Sequence, residues 1–164
     1  MSLRHNLGVK GGYRNVSVEE IPVDENTLTI EMVPATYEGV QQIASIDPYA
    51  LQQMETTAGT MSVKFEPYGD TGNMVACTDT VGSILVRGVE FTKKTRSLTI
   101  CSMGTGRIEV RENHPEGKLV AIIDADSAEM SETKVRLAAS PASVTDLCFL
   151  FKGAELKIDS WQFR

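Results

Sequence analysis

The sequence predicts an all-β protein, a jelly-roll β-sandwich preceded by a β-hairpin arm. Short runs of alternating or continuous apolar residues recur between residues 48 and 163. Clusters of glycine, proline, asparagine and aspartate, which favour turns, separate these runs. Since no stretch of helical periodicity lies between them, the strands are expected to pair antiparallel in a sandwich rather than form a parallel sheet.

The composition excludes several classes of partner. The chain has 164 residues and a formal net charge of −6. A surface with this charge repels nucleic acid and anionic lipid, so we expect neither nucleic acid nor a membrane as a partner. No apolar run approaches the roughly 20 residues that span a bilayer. The opening residues MSLRHNLGVK lack the apolar core of a signal peptide.

Residues 1–36 differ in character from the rest of the chain. Tyr13–Glu19 is predicted as a short strand, Asp24 begins a turn, and Thr27–Val33 alternates between apolar and polar side chains. A single hairpin cannot bury a core by itself. Residues 1–36 are therefore expected either to pack on the main domain, residues 37–164, or to belong to a larger structure that has been cut away.

The sandwich is predicted to contain about nine short strands at regular spacing. Those before the final pair are Met61–Phe65, Asn73–Cys77, Ser83–Phe91, Arg96–Ser102, Arg107–Arg111, Leu119–Ile123 and Thr133–Leu137. Gly104-Thr105-Gly106 is predicted as a hairpin turn between two strands, and Asp124–Asp126 as a solvated acidic loop. One or two helical turns are predicted within Tyr37–Tyr49.

The segment Val144–Phe163 holds the densest apolar run and the only tryptophan, Trp161. Leu147–Phe151 is short, rich in aromatic residues and followed by a lysine and a glycine, a pattern typical of a strand buried on both faces. Leu156–Phe163 then returns as the last strand and is expected to close a sheet. Asp159 lies inside this strand, where a carboxylate needs a partner because burial of an unpaired charge is costly.

A set of oxygen-bearing side chains suggests a metal site. Gln53 and Glu55 lie on one face of a predicted first strand, and pairing of that strand with the last one brings both side chains towards Asp159. Oxygen ligands alone suit a calcium ion, with carbonyl groups filling the rest of the shell. The alternative is that these are three unrelated surface polar residues, and spacing alone favours that alternative.

No catalytic constellation is present in the sequence. His5 and His114 are isolated in glycine- and proline-rich loops, without the spacing of a metal site or a triad. Asp124, Asp126 and Glu129 lack the glycine and the terminal glutamate of an EF-hand loop. The sequence contains no Gly-x-Ser-x-Gly motif and no pair of acids flanking a recognisable cleft. We therefore do not expect this chain to be an enzyme.

Several motifs follow one another in the order of a known family. The ending DLCFLFKG…LKIDSWQF corresponds to a D-L-Y-L-V-F-K-G strand that leads into an I-D-x-x-x-F strand in the family-6 carbohydrate-binding modules. Gly88–Phe91 stands where they have G-V-D-F, Gly106–Arg111 where they have G-x-I-E-I-R, and Glu116–Val120 where they have D-G-x-L-I. Gln53–Thr56 fits their E-A-E-T. Over residues 48–163 the chain resembles this family.

This resemblance implies a galactose-binding-domain-like jelly roll with a structural Ca²⁺. It makes Gln53, Glu55 and Asp159 the expected ligands and so reverses the preference for three unrelated polar residues. Gln53 stands in place of the usual first glutamate, and a reduced affinity for calcium is therefore expected.

The same resemblance places the principal sugar-binding cleft at the loop end of the sandwich, where family members hold a ring between two aromatic side chains beside an asparagine. The first aromatic position falls near Cys77, the second near Ser131, and the asparagine at Lys157. Loss of these groups is expected to leave the cleft weak, because stacking supplies much of a sugar's affinity. Tyr68 is the candidate substitute, and Asp79 completes the candidate carbohydrate-binding residues. The concave face of the sheet is the alternative site.

Residues 11–40 carry a second resemblance. The segments GGYRNVSVEEI and PATYEGVQQI are similar to the end of the propeller of family-43 glycoside hydrolases, just before an attached family-6 module. Those enzymes act on xylan, arabinoxylan and related plant polysaccharides. The resemblance implies a non-catalytic module that binds plant cell-wall polysaccharide and belongs to an extracytoplasmic parent, secreted or periplasmic, whose catalytic domain is absent from this chain. The alternative is a degenerate module that packs on the catalytic domain without binding sugar.

Overall fold

The computed structural model describes residues 21–24, 26–27, 29–30, 32–34, 44–69 and 72–164, which contain eleven β-strands and no helix. In chain order the strands are β1 (Val23–Asp24), β2 (Thr29–Ile30), β3 (Gln52–Gln53), β4 (Gly59–Met61), β5 (Val63–Tyr68), β6 (Gly72–Cys77), β7 (Val81–Glu90), β8 (Ser97–Glu112), β9 (Leu119–Arg136), β10 (Val144–Lys152) and β11 (Lys157–Phe163). Within the described part of the chain, no helix is long and apolar enough to cross a bilayer.

The chain divides into two compact units, Met1–Ile43 and Ala44–Arg164. The predicted boundary between residues 36 and 37 lies outside the described residues. So does most of Tyr37–Tyr49, where helical turns were predicted, and its described part, 44–49, is not helical.

The described part of the first unit contains a short hairpin in which β1 pairs antiparallel with β2. The Asp24 carboxylate accepts hydrogen bonds from the backbone N–H of Asn26 at 2.8 Å and of Thr27 at 3.3 Å. These bonds lower the pKa of Asp24 and stabilise the turn between the two strands. The predicted arm strand Tyr13–Glu19 lies outside the described residues.

The second unit is an antiparallel sandwich built around the long hairpin β8–β9. The strand order is β4-β7-β10-β8-β11-β6-β5, with β9 paired to β8 and β3 paired to β11. The first half of β8, up to Met103, pairs with β11, whereas Arg107–Glu112 pairs with β10. The two halves of β8 therefore belong to different layers, and this arrangement confirms the predicted all-β sandwich.

Two predicted boundaries inside this hairpin are wrong. Gly104-Thr105-Gly106 is not a hairpin turn, because β8 continues through it and bends there. Gly104 has a φ of +93°, and a Cβ at this position would lie 2.2 Å from the carbonyl oxygen of Glu155, so only glycine fits. Asp124–Asp126 is not a loop but part of β9, in which Ala125 is buried and the two aspartates are exposed.

Aromatic side chains from both layers fill the core. The rings of Phe149 in β10 and Trp161 in β11 lie 5.4 Å apart, and Phe163 lies 5.7 Å from Trp161 and 5.1 Å from Phe91. Each fully buried ring stabilises the fold by about 1.5–3 kcal/mol relative to an exposed one. Every residue of Leu147–Phe151 is buried, which confirms the predicted strand buried on both faces.

Candidate functional site

The three predicted metal-binding residues lie around one ladder between β3 and β11. Gln53 is opposite Ser160 in this ladder, and the N–H of Met54 donates to the carbonyl oxygen of Asp159 at 2.7 Å. Asp159 occupies a bulge, because the pairing of β11 with β8 shifts between its two neighbours. The structure therefore pairs the first strand of the sandwich with the last, as the sequence predicts.

Glu55 supplies the clearest sign of a missing partner. It follows β3 in a turn, and its Oε1 accepts a hydrogen bond from the N–H of Asn73 at 3.2 Å. Its other oxygen, Oε2, is buried and has no hydrogen-bond partner among the described residues. A buried carboxylate oxygen without a partner is costly, and a hard cation beside it removes that cost.

The donor set around Glu55 fits calcium rather than a metal that prefers nitrogen or sulfur. No group of three histidine, cysteine, aspartate or glutamate residues gathers into a metal cage within the described residues. A calcium shell here would draw on two carboxylates, Glu55 and Asp159, on the Gln53 amide and on backbone carbonyls. Asp159 is half-buried, and its charge adds to the larger effect of burial in raising the pKa of the Cys101 thiol.

A groove of about 590 Å³ opens at the loop end of the sandwich, where β5, β6, the bend of β8 and the turn before β11 meet. We call it the loop-end groove. Its lining residues include Lys64, Glu66, Cys77, Asp126, Ala128 and Lys157. Cys77 and Lys157, two predicted sugar-binding residues from distant parts of the sequence, thus line the same groove. None of its lining residues within the described part of the chain is aromatic.

An ion-paired triad forms one wall of the loop-end groove. The Glu66 carboxylate contacts the ammonium of Lys64 at 2.6 Å and that of Lys157 at 2.9 Å. Hydrogen bonds from Lys64 first and Lys157 second lower the pKa of Glu66 to about 2. Glu66 is therefore a carboxylate over the whole physiological range, and the triad presents fixed donors and an acceptor to the groove.

Of the other predicted sugar-binding residues, Cys77 lines the loop-end groove, whereas Tyr68, Asp79 and Ser131 do not. Tyr68 is 39% exposed and falls on the same face of β5 as Glu66, two residues further along the strand. Cys77 is buried, and its Sγ–H donates to the carbonyl oxygen of Asp79 at 3.0 Å. The Asp79 carboxylate accepts from the N–H of Thr80 at 2.6 Å. Ser131 pairs with Ser102 in the β8–β9 ladder and does not line the loop-end groove.

The residues that take the position expected for Ser131 are Ser127 and Ala128. The β8–β9 register shifts between Ser102 and Gly104, and Gly104 pairs with Ser127. The shift places extra residues of β9 beside the groove, and Ala128, which is exposed, lines it. Lys64 and Glu66 were also missed by the sequence predictions, although Lys-x-Glu on a strand is a pattern that places both charges on one face.

A second ordered polar cluster lies on the face formed by β8 and β10. Glu109 is 6% exposed, and its Oε2 accepts hydrogen bonds from Arg111 Nε at 2.9 Å and Nη2 at 2.7 Å. Its Oε1 pairs with the ammonium of Lys152. Lys152 and then Arg111 hold the pKa of Glu109 below its usual range. We call this cluster the sheet-face triad.

Comparison with known proteins identifies this fold. No family model matches the sequence. The arabinoxylan arabinofuranohydrolase of Bacillus subtilis (strain 168) is 29% identical over 96% of this chain and 33% of the relative. A crystal structure of a glycoside hydrolase family 43 arabinoxylan arabinofuranohydrolase from Bacillus subtilis, in complex with cellotetraose, superposes on 93% of this chain and 34% of that chain, with a TM-score of 0.82 and 27% identity.

A free-standing module matches as well. The module CsCBM6-3 from Clostridium stercorarium, in complex with cellobiose, superposes on 74% of this chain and 98% of that module, with a TM-score of 0.68 and 17% identity. The sandwich has the family-6 carbohydrate-binding fold. The predicted resemblance and the jelly-roll prediction are thereby confirmed. The chain spans about a third of the length of the curated hydrolase it matches, so the family-6 sandwich corresponds to one part of such a protein.

Proposed function

We propose that this chain is the non-catalytic carbohydrate-binding part of a larger plant-polysaccharide hydrolase of the arabinoxylan class. The observation that carries the proposal is the match of 96% of the chain to one third of an arabinoxylan hydrolase. The family-6 fold supplies the binding module. The catalytic domain of the parent protein, absent from this chain, is its proposed partner.

The chemistry of the loop-end groove favours binding over hydrolysis. A glycosidase needs one carboxyl group whose raised pKa lets it act as a general acid. Glu66 has a lowered pKa of about 2 and is held by two ammonium groups. Its role is therefore that of a fixed hydrogen-bond acceptor, flanked by Lys64 and Lys157 as donors, for the hydroxyl groups of a sugar chain.

Binding in this groove is expected to be weak because no described aromatic side chain lines it. Tyr68 does not line the groove, but it continues the face of β5 that carries Glu66, and it is the proposed stacking residue at the edge of the groove. The sheet-face triad is the alternative site. Arg111 and Lys152 are each bonded to Glu109 there, which orders both side chains and lowers the entropy cost of binding a ligand.

We propose a structural calcium ion at Gln53, Glu55 and Asp159. A bound ion would supply a crosslink between β3 and β11, and it would give the buried Glu55 Oε2 a partner. Gln53 contributes a neutral amide oxygen, which binds a hard cation more weakly than a carboxylate does. The role of the site is stability, because these residues lie on the β3–β11 ladder and none of them lines the loop-end groove.

We place the parent protein outside the cytoplasm, secreted or periplasmic. Cell-wall polysaccharides are too large to enter a cell, so a module that binds them acts where the polymer is. The net charge of −6 supports a neutral polymer and not nucleic acid or an anionic membrane as the partner of the loop-end groove.

A second candidate function is purely structural, in which the module packs on the catalytic domain and binds no sugar. The observation that favours it is the ion pair of Lys157 with Glu66 at 2.9 Å, which occupies the position where the resemblance expects an asparagine. Because this ion pair neutralises the charges of Lys157 and Glu66, neither side chain needs a ligand as a partner.

Titration calorimetry with arabinoxylan and with xylo- and cello-oligosaccharides separates these functions. Binding that weakens about tenfold in Tyr68→Ala and in Lys157→Ala supports the loop-end groove. The matched control is Phe65→Ala, which removes an exposed aromatic from the opposite face of the same strand. Binding that is lost only in Arg111→Ala would show that the sugar binds at the sheet-face triad. Absence of binding by the calcium-saturated protein rejects the carbohydrate-binding function.

A further inference from the structure

Three arginines from three neighbouring strands meet at the end of the sandwich opposite the loop-end groove. Arg96 precedes β8, Arg136 is the last residue of β9, and Arg164 follows β11. β9 and β11 both pair antiparallel with β8, and paired strands lie about 4.8 Å apart. The carbonyl oxygen of Arg164 accepts hydrogen bonds from the N–H groups of Arg96 at 2.8 Å and Ser97 at 2.9 Å. The backbone thus fixes the three arginines side by side.

These arginines line a groove of about 940 Å³, which we call the strand-end groove. Lys94 and Lys134 also line it, so the described wall carries five cationic side chains and no carboxylate side chain. Lys134 and Arg136 are two residues apart in β9 and extend from the same face. This concentration of positive charge lies on a chain whose net charge is −6.

None of these five side chains forms an ion pair with a carboxylate side chain of the described residues. The ion pairs of the described chain involve other lysines and arginines. The Arg164 guanidinium donates to the neutral amide oxygen of Gln162, at 3.0 and 3.3 Å. Glu132, two residues before Lys134, lines a separate small depression together with Arg164. Five like charges along one wall repel one another, and a bound anion relieves that repulsion.

We propose that the strand-end groove binds the carboxylate groups of an acidic polysaccharide, a chain that carries uronic acid residues. A guanidinium fork donates two parallel hydrogen bonds to a carboxylate. Ser140, which is exposed, also lines the groove and offers a hydroxyl group to the sugar hydroxyls. The choice of a polysaccharide rests on the proposed function, whereas the demand for an anion rests on the five cations.

The groove is better suited to a uronate chain than to a nucleic acid. No aromatic side chain of the described residues lines it, so unpaired bases would find no stacking surface. A uronate chain can bind through its carboxylates to the guanidinium groups, so it does not depend on a stacking surface.

The strand-end groove is separate from the loop-end groove. Lys157 at the start of β11 lines the loop-end groove, and Arg164 after its end lines the strand-end groove. Seven residues of extended strand span about 20 Å. Substitutions in one groove are therefore expected to leave the affinity of the other unchanged.

Affinity electrophoresis of the full chain in gels containing polygalacturonate tests the proposal. The matched neutral probe is the same polymer after reduction of its carboxyl groups to alcohols. We expect retardation by the acidic polymer only, with about tenfold weaker binding for Arg136→Gln and for Lys134→Gln. Arg87→Gln removes the same charge from an exposed arginine on β7 and is expected to bind within about twofold of the parent. Thermal melts confirm that each variant is folded.

Three results would overturn the proposal: equal retardation by both polymers, equal losses in Arg136→Gln and Arg87→Gln, or equally tight binding of a single-stranded polynucleotide. An arabinoxylan gel run in parallel keeps this test distinct from that of the proposed function. Retardation by polygalacturonate without binding of arabinoxylan supports the strand-end groove and counts against the loop-end groove. Binding of arabinoxylan without retardation by polygalacturonate rejects the strand-end groove alone.

Discussion

The ammonium of Lys157 reaches the carboxylate of Glu66 at 2.9 Å although β6 lies between their strands. Ala76 in β6 is the backbone partner of Lys157 on one side and of Lys64 on the other. Because the side chain of Ala76 is small, Lys157 can extend over β6 towards Glu66, whereas Lys64 reaches Glu66 along β5 itself. The charged wall of the loop-end groove therefore depends on the small side chain of Ala76 and on the register of β5, β6 and β11.

The first prediction concerns the titration of Glu66. Its pKa is lowered to about 2 from an ordinary value of 4.5, so the two ion pairs stabilise the fold fully above pH 4.5 and lose that effect as the pH falls towards 2. Lys64 is the larger cause of the shift and Lys157 the second. We expect carboxyl NMR titration to show a larger rise of the Glu66 pKa in Lys64→Ala than in Lys157→Ala.

Lys118→Ala serves as the control for that titration, because it removes an ammonium bonded to Ser140, away from Glu66. A Glu66 pKa that stays near 2 in both Lys64→Ala and Lys157→Ala would show that the ion pairs do not cause the shift.

The second prediction concerns calcium. Since the ion is proposed to bind only the folded chain, a concentration one hundred times its Kd would add about 2.7 kcal/mol to the free energy of unfolding. For a domain of this size that gain raises the Tm by about 5–10 °C. Thermal melts in calcium and in a chelator are expected to differ by this amount. Glu55→Gln should abolish this difference in Tm. Gln53→Glu should lower the calcium concentration at which half of the rise in Tm is reached.

Glu116→Gln is the matched control, because Glu116 is an exposed residue in the turn between β8 and β9. Identical melting curves in calcium and chelator, together with no metal detected by mass spectrometry, would remove the calcium site. The buried Glu55 Oε2 would then have to be bonded to water.

The third prediction concerns the bend in β8. In Gly104→Ala the new Cβ would lie 2.2 Å from the Glu155 carbonyl oxygen, at a φ of +93°. We expect a loss of about 3 kcal/mol or more in the free energy of unfolding, measured with urea. Gly69→Ala is the control, because Gly69 has a φ of +66° and no atom within 4 Å of a Cβ. It isolates the backbone strain, about 1 kcal/mol. Equal losses would show that the contact with Glu155 is unimportant.

The sequence predicts those parts of the fold whose signal is local. Leu147–Phe151 is buried on both faces because a continuous apolar run has no polar side to turn outward. The metal-site hypothesis for Gln53, Glu55 and Asp159 required the first strand to pair with the last, and the structure places Gln53 of β3 opposite Ser160 of β11. In both cases the chemistry of a few neighbouring residues restricts the possible structures.

The sequence predictions fail where a distant contact decides between two possible local structures. Gly104 and Gly106 permit a tight turn or a bend equally well, and the bend is selected by close approach to the turn that contains Glu155. The pair of Glu66 and Lys157 joins residues 91 positions apart, and no pattern within either strand specifies it. Ser131 was placed by counting along a motif, and a register shift in the β8–β9 ladder moves the groove to Ala128.

The last prediction uses that register shift to restore a stacking surface. Ala128 is exposed and lines the loop-end groove, whereas Ser131 is exposed and lies outside it. A tryptophan at position 128 can cover one face of a sugar ring held by the donors of Lys157. A tryptophan at position 131 cannot do so. Stacking on one ring contributes about 1–3 kcal/mol in comparable systems. We therefore expect Ala128→Trp to tighten the binding of xylo- or cello-oligosaccharides about tenfold or more.

Ser131→Trp adds the same side chain to the same strand and is expected to leave the affinity unchanged. Calorimetry of both variants with one oligosaccharide decides the point, and thermal melts verify that each is folded. Tighter binding by Ser131→Trp alone would show that counting along the motif locates the second aromatic position better than the groove does. No gain in either variant would indicate that the ion pair between Lys157 and Glu66 keeps sugars out of the loop-end groove. Combining Ala128→Trp with Lys157→Asn, which removes that ion pair, tests this explanation directly, because binding should then appear in the double variant alone.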